Sequence, residues 1–340
     1  MTDAGELHRK ALVLDSHNDS AVGHILRGNT GLGGERSGER AHRGGAISRL
    51  RQQIDPEVSP LQLDIPRMRQ GGIDAAFFAV DVTNAWENHL LYALDGLAWL
   101  KREIAGHGDD IEVALTAGDI AAARERGRIA AVLAVENSDA LHRTLNIIDS
   151  LYDIGVRTMT LTHSTRSHAG DGCEVVAGGG LTGFGREVVD AMNRRGMLID
   201  VSHLNDAGFR DVLELSSGPV VASHSCCRRL CAHPRNLTDE QLRALGEKGG
   251  VVGLTFVPRF LAGENPGLSH LLDHIEHAVS VAGPGAVGLG SDFDGGGTLL
   301  ESAADFPLIT AGLAGRGFGE EALTGILGGN HLRLLAAVIG

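Results

Sequence analysis

Eight short apolar runs recur along the 340-residue chain, separated by segments with helical periodicity, and this alternation limits the folds open to it. The runs are 11–15, 73–82, 129–136, 158–163, 197–203, 219–224, 250–256 and 286–292. Most are dense in Val, Ile, Leu and Ala and do not alternate with polar residues, the pattern of strands buried on both faces. Residues 181–195 and 238–248 repeat with the helical period. Thr238-Asp-Glu reads as a helix start and Gly249-Gly250 as a stop. Eight strands alternating with helices predict an α/β fold, a single (β/α)8 TIM-type barrel over residues 1–340, with its chemistry at the C-terminal mouth. A doubly wound open sheet is the rival, but it does not require eight strands. Residues 24–64 break the rhythm, with Gly28, Gly31, Gly33, Gly34, Gly38, Gly44 and Gly45 among several arginines. They predict a loop excursion after the first strand or a lid over the mouth.

Charge and composition exclude several partners. The chain has 30 basic and 43 acidic residues, a formal net charge of −13, which argues against nucleic acid and anionic membrane surfaces. It has no run of 18 apolar residues, and its first ten residues, MTDAGELHRK, lack the parts of a secretion signal. Cys173, Cys226, Cys227 and Cys231 form no CxxC pair, so they read as reduced thiols in a cytoplasmic protein. The last three are expected to be small buried packing residues rather than zinc ligands.

Polar residues at the ends of the runs carry the chemistry. The first run leads into His17 and Asp19, which a strand period of two puts on one side. The later runs end in Glu136, His163, His203, His224 and Asp292. A lone histidine after a strand is usually a hydrogen-bonded structural residue. Six of eight strands delivering a ligand-type residue to one rim predict a metal site. Mixed imidazole and carboxylate donors suit zinc and its neighbours better than calcium or magnesium. Three histidines, one aspartate and one glutamate exceed the three protein ligands usual at one catalytic zinc. Two cations sharing a carboxylate would use all five. Against Asp19, Glu136 and a hydroxide, two divalent ions leave the centre at about +1, able to draw an anionic substrate.

The ordered motifs resemble the renal (membrane) dipeptidase family of the amidohydrolase superfamily, in a bacterial-type form. They are His17-Asn18-Asp19, Asp64-Ile-Pro-Arg-Met-Arg-Gln-Gly-Gly72, Leu161-Thr-His163, Ile199-Asp-Val-Ser-His203 and Ala222-Ser-His224-Ser, followed by His233-Pro-Arg235-Asn236-Leu237, Gly288-Leu-Gly-Ser-Asp292-Phe-Asp-Gly295 and Gly328-Gly-Asn-His-Leu-Arg333. The resemblance implies hydrolysis of dipeptides, with a D-residue tolerated at the C-terminal position, by a hydroxide bridging two zinc ions. It implies that His17 and Asp19 hold one zinc, His203 and His224 the other, and that Glu136 bridges. It further implies that His163 stabilises the oxyanion, Arg235 holds the substrate carboxylate, and Asp292 moves the proton. A homodimer is a further expectation from the family. The segments after Asp19 (Ser-Ala-Val) and Glu136 (Asn-Ser-Asp) depart from the family pattern and bear on substrate preference. The alternative is an amidohydrolase acting on N-acyl amino acids or lactams.

Three weaker features have plainer readings. His270, His274 and His277 share a helical face expected to be solvated on the outer ring. Gly295-Gly-Gly297 reads as a turn that leaves room beside Asp292. His168 and Asp171 are candidates to line the site.

Overall fold

The computed structural model describes residues 3–39, 61–85 and 88–340. Its strands are β1 (Leu14–Asn18), β2 (Ala75–Asp81), β3 (Ile111–Val113), β4 (Ile129–Glu136), β5 (Val156–Thr160), β6 (Leu198–Asp200), β7 (Val221–Ser225), β8 (Val251–Leu254) and β9 (Val287–Leu289). All pair in parallel. The ring runs β1–β2–β4–β5–β6–β7–β8–β9 and closes from β9 to β1. The eight expected strands thus form the closed (β/α)8 barrel. The short β3 is additional: Ile111 to Val113 pair with Ile129 to Ala131, below the point where β5 begins to pair with β4 at Leu133. With three residues, one of them Glu112, it is too short to leave an apolar signal.

Strand periodicity divides the barrel into a core and a mouth. On β2 and β4, Ala75, Phe77, Ala130 and Val132 share the interior cluster with Leu14, Leu198, Val221 and Val251. Leu334 and Leu335, on the helix Asn330–Val338, join the same cluster. Ala76, Phe78, Val80, Ala131, Leu133 and Val135 belong instead to the layer beneath the outer helices. Continuing the inward phase by twos brings Asp81 and Glu136 to the top layer, where they are register partners.

The two helices read from the sequence form as expected. Thr182 caps the helix Gly183–Arg195, and Thr238 with Gln241 makes a capping box on Asp239–Glu247. Other expectations need correction. Residues 24–27 are not loop but the end of the helix Ser20–Arg27, which buries His24 and Ile25. Leu32, Leu61 and Leu63, on the described flanks of the excursion, are also buried, and residues 40–60 lie outside the described residues. His274 is buried: its Nδ1 accepts from the Cys227 amide at 3.0 Å and its Nε2 faces the Leu261 carbonyl at 3.0 Å. That face of the helix Leu268–Ala282 therefore packs rather than being solvated. Cys226 and Cys227 are buried, but Cys231 is only partly so.

His331, on the last helix, is fully buried with neither ring nitrogen hydrogen-bonded. Its ring meets Phe77 edge-on at 6.3 Å. Burial pushes its pKa from 6.5 down to about 3. The unfolded chain therefore takes up this proton first, so stability is complete above about pH 6.5 and falls as the pH drops toward 3. Each unit inside that window costs up to about 1.4 kcal/mol. His331→Phe should flatten this part of the acid limb in urea titrations between pH 7 and 4.5. Equal slopes in the two proteins would refute the assignment.

Candidate metal centre

The predicted site residues converge on the barrel mouth, half of them from short turns just past the strands. β6 stops at Asp200 because its carboxylate caps the turn, accepting the Ser202 amide at 2.9 Å. The turn delivers His203 with φ 70°. Asp292, three residues beyond β9, has φ 61° and donates its amide to the His17 carbonyl at 2.9 Å. Left-handed backbone at non-glycine residues is uncommon and is held here by the surrounding turn. Glu136 is the last residue of β4, His17 and His224 lie within β1 and β7, and Asp19 follows β1.

Glu136 is the centre of the geometry. Its Oε1 lies 2.9 Å from His203 Nε2 and 3.5 Å from His224 Nε2, while its Oε2 lies 3.5 Å from His17 Nε2. His17 Nε2 is 3.7 Å from Asp19 Oδ2. The Nε2 atoms of His203 and His224 face each other at 2.9 Å. Donor atoms of Glu136, His203 and His224 lie within 4.8 Å of one another, as do those of His17, Asp19 and Asp292. His17 Nε2, Asp19 Oδ1 and Glu136 Oε1 are buried without a hydrogen bond of acceptable geometry. Partnerless lone pairs converging from imidazole and carboxylate donors fit divalent transition cations.

The electrostatics divide the imidazoles: against burial, Glu136 and Asp19 raise His17 well above its ordinary pKa and favour its charged form. Burial, helped by Arg235, holds His203 well below its ordinary pKa, and burial with His17 and Arg235 does the same for His224. Both are kept as neutral imidazoles, the ligand form. Burial raises Glu136, but His17 and His203 outweigh it and keep the group ionised. Burial and the nearby carboxylates raise Asp81 and Asp292 well above the usual range. Cations neutralising Asp19 and Glu136 would remove that repulsion.

The remaining predicted residues sit around a cavity of about 570 Å³. His163 lines it half-buried, its ring stacked on His203 at 4.1 Å between centroids. Arg235 is 3% exposed, donates to the His224 carbonyl at 2.7 Å and to Ser225 Oγ at 3.3 Å, and keeps Nε unpartnered. A Cβ at Gly295 would collide with Asp19 Oδ2 and Asp292 Oδ1, so this glycine leaves room for both carboxylates. His168 and Asp171 turn to other partners: His168 pairs with Asp139 at 3.0 Å and Asp171 with Arg166 at 2.6 Å. The sequence reading missed Asp81. It lines the cavity, and its signal was an acidic residue in the inward phase of the second run.

Comparison with known proteins places this geometry in a family. The pattern of the membrane dipeptidase family (peptidase family M19) matches residues 1–339. "Dipeptidase verJ" of Clonostachys rogersoniana is 31% identical over 308 residues, covering 84% of this chain and 79% of that protein. A metallo peptidase from Rhodobacter sphaeroides, solved with a phosphinate mimic of the dipeptide L-Ala-D-Ala, superposes with TM-score 0.81 at 26% identity, over 96% of this chain and 99% of its own. The dipeptidase AC, also a metallo peptidase, gives TM-score 0.82 at 26% identity, over 97% and 99% of the two chains.

A buried network orients the imidazoles. Ser164 Oγ meets His203 Nδ1 at 3.1 Å and Ser223 Oγ meets His224 Nδ1 at 2.8 Å, leaving both Nε2 atoms to face Glu136. Asp200 anchors Ser223, accepting its hydroxyl at 2.5 Å and its amide at 3.0 Å, and also accepts Thr160 Oγ1 at 2.8 Å. Asp200→Asn should weaken metal binding roughly 10- to 100-fold, as loss of such support does elsewhere. Competition titration against a chromogenic chelator measures this, and unchanged affinity would remove Asp200 from the metal centre.

Proposed function

This chain belongs to the membrane dipeptidase family and is a hydrolase of its metal-dependent type, and from that premise we propose that it cleaves the peptide bond of dipeptides at a pair of zinc ions. The observation that carries the reading is the division of Glu136, one oxygen toward His203 and His224 and the other toward His17. We assign His17 and Asp19 to one ion, His203 and His224 to the second, and Glu136 to both. Two bound divalent ions would polarise the scissile carbonyl and make a water acidic enough to attack at neutral pH.

The protein groups divide the remaining work. Arg235 presents a guanidinium edge to the substrate's terminal carboxylate, supported by its cavity position and unpartnered Nε. His163 donates a hydrogen bond to the carbonyl oxygen as negative charge develops there. Asp292, within 4.8 Å of donor atoms on His17 and Asp19, accepts a proton from the attacking water and passes it to the leaving amine. The dipeptide mimic in the Rhodobacter sphaeroides enzyme supports acceptance of a D-residue on the C-terminal side. The four free cysteines fit a reducing compartment such as the cytoplasm. No helix among the described residues is long and apolar enough to cross a membrane.

Two measurements test this reading. Elemental analysis should find about two zinc ions per chain, and chelators should abolish turnover; full activity with one metal would defeat the paired site. Arg235→Ala should lower kcat/KM for free dipeptides by roughly tenfold to a hundredfold, the loss of a charge-assisted contact of about 1.5–3 kcal/mol. Dipeptide amides, lacking the carboxylate, should be poor substrates whose turnover barely changes. Equal losses on acid and amide would return Arg235 to a structural role.

A further inference from the structure

Asp81 lines the cavity but has no task in the reaction assigned above. It is 7% exposed, the terminal residue of β2, and the register partner of Glu136. Oδ1 accepts the Thr83 amide at 2.8 Å and Oδ2 accepts Asn84 Nδ2 at 2.7 Å, and both of these residues also line the cavity. Among the described residues it has no cationic partner within ion-pair distance, whereas Asp294, another carboxylate on the same cavity, has Arg27 at 3.0 Å. Nor does Asp81 belong to any cluster of ligand atoms lying within 4.8 Å of one another. A desolvated carboxylate without a counter-charge is costly, so a residue kept this way fits a cation that arrives with the ligand.

The topology indicates which cation that is. In the eight-strand ring β2 lies four strands from β7 in either direction, so the two strands face each other across the mouth. β7 carries His224, and Arg235 donates to the His224 carbonyl. A dipeptide with its carboxylate on Arg235 and its carbonyl at the Glu136 cluster therefore directs its amino end toward β2. Two extended residues span only about 7 Å, so both ends must be read within this one cavity. We propose that Asp81 receives the free α-ammonium group of the substrate's N-terminal residue and is the specificity-determining residue that separates dipeptides from N-acylated amino acids. This rests on the dipeptidase reading. An acyl group at that position would cover the carboxylate with apolar surface and satisfy none of its charge, a large penalty for the wrong substrate.

The test compares Ala-Ala, in the stereochemistry the enzyme cleaves, with propionyl-Ala, which differs only by hydrogen in place of the amino group. The wild type should prefer Ala-Ala by roughly a hundredfold in kcat/KM. Asp81→Asn keeps the acceptor for the Thr83 amide and gives up the one for Asn84 Nδ2. It should lower that preference by roughly tenfold or more, mainly through KM for Ala-Ala, with metal content and propionyl-Ala turnover unchanged within about twofold. Asp81→Glu, which restores the charge, should recover part of the loss. An unchanged preference, or equal losses on both substrates, overturns the proposal. Should Asp81→Asn fold poorly or lose metal, Asp81→Ser is measured in the same way. A wild type that cleaves both compounds equally well refutes the role of Asp81 while leaving the dipeptidase reading intact. A wild type that cleaves propionyl-Ala but not Ala-Ala refutes the dipeptidase reading itself.

Discussion

Glu136 stands between two sets of imidazoles, and the barrel mouth is built around what that one carboxylate needs. Five donors from β1, β4, β7 and the turn after β6 are held within a few ångströms, buried, with several lone pairs facing one another. Protons satisfy such a cluster only in part: against burial, Glu136 and Asp19 draw a proton to His17, which occupies the donor set, and protonating the carboxylates removes the charge that draws it. Cations resolve both at once. The two Nε2 atoms at 2.9 Å, a poor contact for two neutral imidazole lone pairs, make sense as two ligands aimed at one ion.

The rest of the fold divides between carrying that cluster and aiming it. Below the mouth the barrel interior is Leu, Val, Ala and Phe, closed by the last helix, and has no functional duty. At the top, regular strand geometry gives way. β6 and β9 end early so that turns with positive φ can swing His203 and Asp292 inward, and the pairing of β1 with β2 shifts register between Asp15 and Asn18, around His17. Buried side chains hold these turns: Asp200 accepts Ser202 and Ser223, and Asp15 accepts the Ser291 amide at 2.7 Å. The positive-φ turns at His203 and Asp292 fall in the layer that carries the candidate ligands, and the packed layer beneath supplies rigidity.

The barrel and the convergence of the ligand-type residues were legible because they rest on local signals. Apolar runs mark buried strands, and a His, Asp or Glu just past a run can only emerge at the mouth of such a barrel. The particular roles came from the family motifs rather than from spacing. The misses have physical causes. Asp81 hid because Val82 extended its run by one residue and made a rim carboxylate look internal. β3 is too short for periodicity to register. His274 looked solvated because helical spacing shows which residues share a face but not which face packs against the short helix Pro258–Leu261, where the Leu261 carbonyl waits. Long-range partners of this kind have no signature in a single sequence.

The net charge of −13 misleads about recognition in the same way. Most surface charges are paired or screened, so the bulk acidity says little about the cavity. Within it, the charges left over matter more than the total. Asp294 is neutralised by Arg27, and Asp19 and Glu136 belong to the candidate ligand clusters. Arg235 has no carboxylate within ion-pair distance among the described residues, and Asp81, across the ring, has no cation. Under the proposed reading, which gives Asp292 to proton transfer and leaves the exposed Arg259 at the rim, Arg235 and Asp81 with a metal pair between them would be complementary to a short zwitterion held by its ends. They are much less suited to a monoanion such as an acylated amino acid, which would leave one of the two buried charges uncompensated. On that reading the selectivity of the site would follow from which charges the fold declines to pair, and not from the net charge of the surface around it.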